Sequence, residues 1–577
     1  MILTFLAFAH ATDVARDHVA LMDALSSELA RGQAGLSLPE APPLYYARYR
    51  AMLLDQVDVH ASFGGVVSAG NQPYAQLAVE LRVGSAELDN SGFGGWQNGF
   101  RTAPLPSRPT PESIAAAAWR ATDRAYKEAV EQYARKVAQF TPGPDHPGDF
   151  LVIPPATADG APAPSSPPEP LVDLARAISQ AMYVDAGPHA LDLADVWVGH
   201  EAGVDLIVDT DGARLTLPHD ETTLRAVSQV RTSNGSLLTD ELLWTVRQPS
   251  DLPPRDEMIA AARAMAEALV DAADAEGLDG EYVGPVIFEG DAALDFYRYL
   301  LVPQIEGTPP EVPFDSFFGE LGGQQAGSAR LSRRVLPPGW SASDDPGREP
   351  RHPSSFTWDA EGAAAQAVDV VEDGIVRAVL MSRTPRTDVD ATNGHARGGF
   401  GERALGRATA LEIRPASHGS AKAVRKAALK LASGYGRDWV LVVRALQEPS
   451  AVAVTDYARF PSLDPASPSL PSPVVAFRRY ADGREEPVQG LAFTGVSRFV
   501  LRDVVRAGAQ REGSYLADSS GSVASWSPTG GLPTWISGPD VLIGEMELVP
   551  LSPDPREVPA VPPPPTPVVA DAAHAAP

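Results

Sequence analysis

Side chains able to bind a metal or move a proton are sparse in this chain. It has 11 histidines, far apart in sequence, and no cysteine. The missing cysteine removes disulfides, thiolate nucleophiles and every cysteine-containing metal site at once. Two histidines have neighbours that suggest chemistry. His200-Glu201 opens like a zincin motif, in which an imidazole binds the metal and the adjacent carboxylate takes a proton from its water. Val204 and Asp205 stand where a second histidine would follow, and the pair sits just before a predicted strand, so a turn or strand entry is the alternative. His395 lies in Asn393-Gly394-His395-Ala396-Arg397, ahead of Gly398-Gly399. Function tends to sit on such loops. Asn393, Gly394, His395 and Arg397 are therefore candidate substrate-binding residues, with a structural turn as the plainer reading. Other signatures are missing: there is no G-x-S-x-G elbow or Walker lysine, and Gly399-Phe400-Gly401 lacks the third glycine of a dinucleotide fingerprint. Serine, histidine and aspartate are present but linked by no motif.

The elements that must position these residues follow from periodicity. Met22, Leu25 and Leu29 predict a helix from about Asp13 to Arg31, ended by Gly32. Val57, Val59, Ala61 and Phe63, then Leu77, Val79, Leu81 and Val83, alternate as half-buried strands do. Thr110-Pro111-Glu112 starts a helix expected to bury Trp119, Tyr126, Val130, Tyr133 and Val137. Residues 154–170, rich in proline, alanine and serine, predict a linker or insertion. A meander follows, from Val204 to Val208 and from Leu215 to Arg247, with turns at Asp211-Gly212 and Asn234-Gly235. A helix from about Asp256 to Glu276 closes at Gly277. The second half is strand-rich, with hairpin turns at Asp373-Gly374 and Asp482-Gly483, a helix at 420–433 and a strand from Trp439 to Val443. The expected fold class is α+β. An N-terminal domain of helices packed on antiparallel sheet would span 12–280, a C-terminal strand-rich domain lining a cavity 281–550, and a disordered tail 551–577.

Bulk properties exclude some functions. A chain of 577 residues has room for roughly two to four domains. Its net charge of −27, from 47 basic and 74 acidic residues, repels phosphate backbones. The most basic stretch, Arg397 to Lys426, is interrupted by Glu402 and Glu412, so no nucleic-acid partner is expected. No run of about 18 apolar residues follows the N-terminus, so no membrane-spanning segment is expected. Residues 1–11 are apolar and end in an A-x-A pattern, as a secretory signal would, though without its basic start. Export to the periplasm or cell envelope is the expectation, with a buried first element in a cytoplasmic protein as the alternative.

Several blocks recur in one order between about Val19 and Pro550. They are Arg82-Val-Gly-Ser-Ala-Glu-Leu-Asp-Asn90 with Gly94-Gly95, Tyr282-Val-Gly-Pro-Val-Ile-Phe-Glu-Gly290 before Leu300-Leu-Val-Pro303, Trp358-Asp-Ala-Glu-Gly362, Val371-Glu-Asp-Gly374, Asn393-Gly-His-Ala-Arg397 and the Trp439 strand. As a set they resemble the TldD/PmbA family of peptidase-related proteins, the "modulator of DNA gyrase" class. In that family a zinc peptidase subunit, with an HExxxH motif and a distant cysteine, pairs with a related metal-free subunit, and the complex trims unfolded peptides inside a closed cavity. Residues 282–290 resemble the stretch carrying the active-site helix. Laid onto this sequence, the motif's histidines fall at Phe288 and Ala293 and its glutamate at Glu289. Neither phenylalanine nor alanine can donate an electron pair to zinc.

The resemblance thus implies a metal-free PmbA/TldE-like protein or a degenerate TldD-like member, without zinc or another cofactor. No catalytic residue beyond Glu289 matches, and that side chain has an alternative role as a helix N-terminal acid. It further implies a zinc-bearing TldD-like partner subunit or a homodimer, and extended peptides bound by strand addition. The alternatives are an active hydrolase centred near His395 and an exported peptide-binding or structural protein on the same fold.

Overall fold

A computed structural model describes residues 4–93, 99–232, 235–278, 280–309, 311, 329–449, 451, 470–517 and 528–551, with residues 4–17 described by backbone alone. Asn234, the Gly94-Gly95 pair and the tail from residue 552 lie outside these. Helix α1 (Thr4–Gly35) runs past both predicted ends. Gly32 does not stop it, because one glycine costs a helix only about 1 kcal/mol relative to alanine.

Strands β1 (Leu44–Ser62) and β2 (Gly65–Val83) form a long hairpin. Its turn needs positive φ at Phe63 (47°) and Gly64 (80°), which puts Phe63 in the loop and 38% exposed, not inward as the alternation predicted. Strand β3 (Phe100–Pro104) pairs with β2. Helix α2 (Pro111–Gln139) starts at a capping box of Thr110 and Ser113. Its buried face is mostly small: Ala117, Ala118, Ala121, Ala125 and Ala129 with Ile114 and Tyr126. The alanines bring the helix close to the sheet, so Trp119, Val130 and Tyr133 are only partly buried, and Val137 is 44% exposed.

Part of the proline-rich stretch adds β4 (Thr157–Asp159) to the sheet, parallel to β6, so it is not a free linker. Helix α3 (Glu169–Met182) leads to the meander β5 (Ala190–Asp209), β6 (Arg214–Arg231) and β7 (Leu237–Val246), and α4 (Arg255–Ala273) closes the first half. The first sheet runs β3-β2-β1-β5-β6-β4, with β7 also on β6; among the described residues β7 has no strand on its other side. One face packs under the helices. The other meets the C-terminal half, so the last part of β2, from Leu77 to Val83, is buried on both sides: Leu77, Val79, Leu81 and Val83 face helices, while Glu80 and Arg82 lie in an ionic layer with Arg48. The predicted half-buried strand is fully covered.

The second sheet begins with β8 (Glu276–Gly277) and β9 (Tyr282–Phe288). Helix α5 (Asp291–Leu300) follows β9, then β10 (Ser341–Asp344), β11 (Val368–Glu372) and β12 (Ile375–Val376). A small pair, β13 (Ala396–Arg397) and β14 (Leu405–Gly406), precedes β15 (Ala410–Arg414), helix α6 (Ala421–Gly434) and β16 (Trp439–Leu446). The rest is strand: β17 (Pro473–Tyr480), β18 (Glu485–Gln489), β19 (Leu491–Thr494), β20 (Val504–Ala517) and β21 (Leu532–Pro550). Both hairpin turns predicted in this half join neighbouring strands, β11 to β12 and β17 to β18. The order β12-β11-β10-β15-β21-β9-β16-β17-β18-β8 puts β9 in the middle, between antiparallel β21 and parallel β16. The α+β class expected from the pattern is the observed one.

Candidate functional site

The residues singled out in the sequence do not converge. Phe288 ends β9 and Ala293 lies in the first turn of α5; both are wholly buried. Between them Gly290, at φ 63°, turns the chain from strand to helix. Residues 288–293 therefore straddle a strand–helix junction and do not share a helix, which corrects the placement the resemblance suggested. Glu289 accepts a bond from Arg479 Nη2 at 2.7 Å and one from Arg444 Nε at 3.4 Å. Against the effect of burial, these arginines hold its carboxyl below the usual range. It is an ion-paired carboxylate just ahead of the helix.

His395 is fully buried, its Nε2 3.1 Å from Asp344 and its Nδ1 3.0 Å from Asn393 Oδ1. The Asn393 amide is oriented by its own bonds: Oδ1 accepts from Met381 N–H and Nδ2 donates to Val379 O. Both ring nitrogens thus face oxygen atoms of the chain's own interior. Arg397, 8% exposed, donates to Ala408 O, Pro533 O and Thr534 Oγ1. The Asn393–Arg397 loop is an internal tie, and the expected contact with substrate is not available to it. His200 is buried within β5 and sits 2.9 Å from Thr222 Oγ1. Successive strand residues point to opposite faces, so Glu201 lies on the other side, beside His219. Against the pull of burial, bonds to Asp205 and Glu201 push His219 up to about 10, and an imidazolium cannot ligate a metal.

The feature that motif reading missed is a cleft between the halves. A cavity of about 550 Å³ lies between β7 and the outer face of α5, and β7 lines it with seven successive residues, Asp240 to Val246. On α5, Asp291, Asp295 and Arg298 face the cavity while Ala292, Ala293, Phe296 and Tyr297 face the core. The lining carries eight acidic side chains against two arginines. Arg298 holds Glu448 at 2.7 Å and approaches Asp295 at 3.5 Å. Burial, with Glu448, Asp291 and Glu241 adding to it against Arg298, pushes Asp295 well above the usual carboxylate range. Burial raises Asp240 to about 7 with help from Asp291 and Glu241. A sequence signal existed: Asp291 and Asp295 are like charges at i, i+4 on a short helix, a pairing that costs stability unless something else selects it.

The same cleft holds a serine–histidine contact, Ser514 Oγ to His352 Nε2 at 3.0 Å. The geometry does not make a nucleophile. Ser354 N–H donates to His352 Nδ1 at 3.2 Å, so the proton sits on Nε2 and that nitrogen donates to Thr245 and Ser514 hydroxyls. Burial, with Arg397 and Arg247 nearby, pushes His352 down to about 3, too weak a base to accept a serine proton.

Residues 280–549 match the family described as PmbA/TldA metallopeptidase C-terminal domain. No curated protein matches the sequence. Three solved structures share the fold. TldE from Thermococcus kodakarensis aligns with a TM-score of 0.57 and 12% identity, over 91% of this chain and 100% of that one. A protein from Thermotoga maritima, described as a modulator of a DNA gyrase, gives 0.54 and 15% over 87% and 96%. One from Bacteroides thetaiotaomicron, described as a modulator of DNA gyrase, gives 0.53 and 10% over 92% and 98%. Among the described residues no three histidine, aspartate or glutamate side chains are grouped to hold a metal, and the helix that follows β9 contains no histidine.

Proposed function

Because residues 280–549 match the PmbA/TldA metallopeptidase C-terminal domain, we propose that the chain is a TldD/PmbA-family member without zinc chemistry, which holds extended peptides as the non-catalytic partner or scaffold of a peptide-processing assembly. The observation that carries the reading is the cleft: an edge strand, β7, opens onto a cavity with an eight-to-two excess of carboxylates over arginines. An extended peptide would add to the free side of β7 through main-chain bonds, and the acidic side chains of Asp240, Asp291 and Asp295, which ionise as a cation enters, would select lysine and arginine side chains. The partner this role implies is a zinc-bearing relative, or a second copy of the chain. The rival hydrolase reading has less support, since His395 is internal and His352 carries its proton on the wrong nitrogen.

Fluorescence anisotropy with a labelled, unstructured lysine-rich peptide tests this. We expect saturable binding, weakened about tenfold by replacing lysines with glutamates, by Asp291→Asn with Asp295→Asn, or by N-methylating alternate peptide amides. Binding indifferent to peptide charge and to N-methylation would sink the proposal.

A further inference from the structure

A second pocket lies between the halves, with the opposite charge. Its volume is about 500 Å³, and its polar lining includes Arg330, Arg386, Arg403, Arg498 and Lys136 against one carboxylate, Asp149. Three of these cations are already matched: Arg386 pairs with Asp388 at 2.7 Å, Arg403 with Glu311 at 3.1 Å and Lys136 with Asp149. Arg330 and Arg498 have no carboxylate within 4 Å among the described residues. Beside them, Arg333, Arg498 and Arg502 crowd the half-exposed Phe499 ring, at 5.2, 5.6 and 4.4 Å. Burial first, then Arg333 and Arg330, pulls Arg498 below the usual guanidinium value, and no carboxylate offsets them. Arg403, 5% exposed, also leaves its Nε without a hydrogen-bond partner.

Arg330 and Arg498, with Arg333 and Arg502 close by, repel one another, and an anion that joins them offsets that repulsion. The guanidinium fork suits phosphate, and a phosphate monoester carries about −1.5 to −2 charges at pH 7, which offsets the two unpaired arginines better than one carboxylate would. The lining also includes the apolar rings of Phe140, Pro147, Pro309 and Pro385, which suit an organic body. We propose that this pocket binds a small phosphate monoester, with the phosphate held by Arg330 and Arg498 and the organic part against Phe140 and the prolines. The site is separate from the peptide cleft and does not depend on it.

Calorimetric titration of the full chain at low salt with phenyl phosphate tests the assignment. We expect saturable one-to-one binding, about tenfold weaker for benzoate and for inorganic phosphate, and weakened at least about tenfold by Arg330→Ala with Arg498→Ala. The single variant Arg498→Glu, a surface change that removes like-charge crowding, should abolish binding while its melting temperature is retained. No saturable binding, or affinity unchanged in both variants, would overturn the site. Benzoate binding as tightly would overturn the choice of phosphate, and inorganic phosphate doing so would overturn the ester.

Discussion

His395 is the residue whose surroundings depart furthest from what its loop suggested. Glycines flank it in sequence, yet its ring closes a buried chain of bonds from Asn393 through His395 to Asp344, which in turn accepts from Thr409 N–H at 3.0 Å. His395 and the Thr409 hydroxyl and amide hold Asp344 below the usual carboxylate range even though burial opposes it. Removing the ring strands a buried carboxylate, which costs about 3–5 kcal/mol. His395→Ala should therefore lower unfolding free energy by about that amount in chemical denaturation, while peptide affinity of the folded fraction stays within about twofold. A large loss of affinity with unchanged stability would restore the loop to the binding surface. Arg397 belongs to the same internal set, with its bonds spent on carbonyls and a hydroxyl of the chain itself.

Among the elements, the β9–α5 junction separates what the motif would need together. Phe288 ends the central strand of a wide sheet and stacks near Phe296 and Phe493, at 5.0 and 5.8 Å. Ala293 is wholly buried on the face of α5 that packs against the core. The double variant Phe288→His, Ala293→His should bind no zinc above about a tenth of an equivalent by elemental mass spectrometry after dialysis. It should also lose at least about 3 kcal/mol, from the vacated aromatic volume, a buried imidazole and overpacking. Stoichiometric zinc would mean that the junction can bring both positions to one ion. The same helix turns Asp291, Asp295 and Arg298 outward toward β7, so one element serves the core with one face and the cleft with the other.

At the scale of the whole molecule, the two halves are tied by buried cations. Arg383, fully buried in the C-terminal half, donates to Leu151 O at 2.8 Å, pairs with Asp211 and lies 4.0 Å from the Phe150 ring. Around this seam, burial and neighbouring acids push Asp240, Glu221 and Asp359 each up to about 7. Between the unfolded carboxylate value near 4 and about 7, these three groups hold more protons in the folded chain than in the unfolded one, so their contribution to stability falls as pH rises through that window. Thermal melts from pH 5 to 8 should show the fall, and Asp240→Asn should flatten part of it. Cationic peptides should bind more tightly over the same range, as the cleft ionises; affinity flat or declining toward pH 8 would count against carboxylate selection.

The sequence by itself determined the elements and their kind. Helical spacing at Met22, Leu25 and Leu29, the Thr110 cap and the Asp-Gly turns act locally, within a few residues, and so they appear in composition and period. The lack of cysteine was legible for a simpler reason: a residue that is not in the chain cannot be supplied by folding it. Only the tertiary structure decided which side chains face one another. Two aspartates on α5, seven residues of β7 and a glutamate at 448 are far apart along the chain, and the packing of two sheets, not any spacing, makes them one cleft. Exposure was decided there too. His395 on a glycine-rich loop reads like surface until the C-terminal strands close over it, because burial is a property of what packs against a residue and not of the residue or its neighbours in sequence.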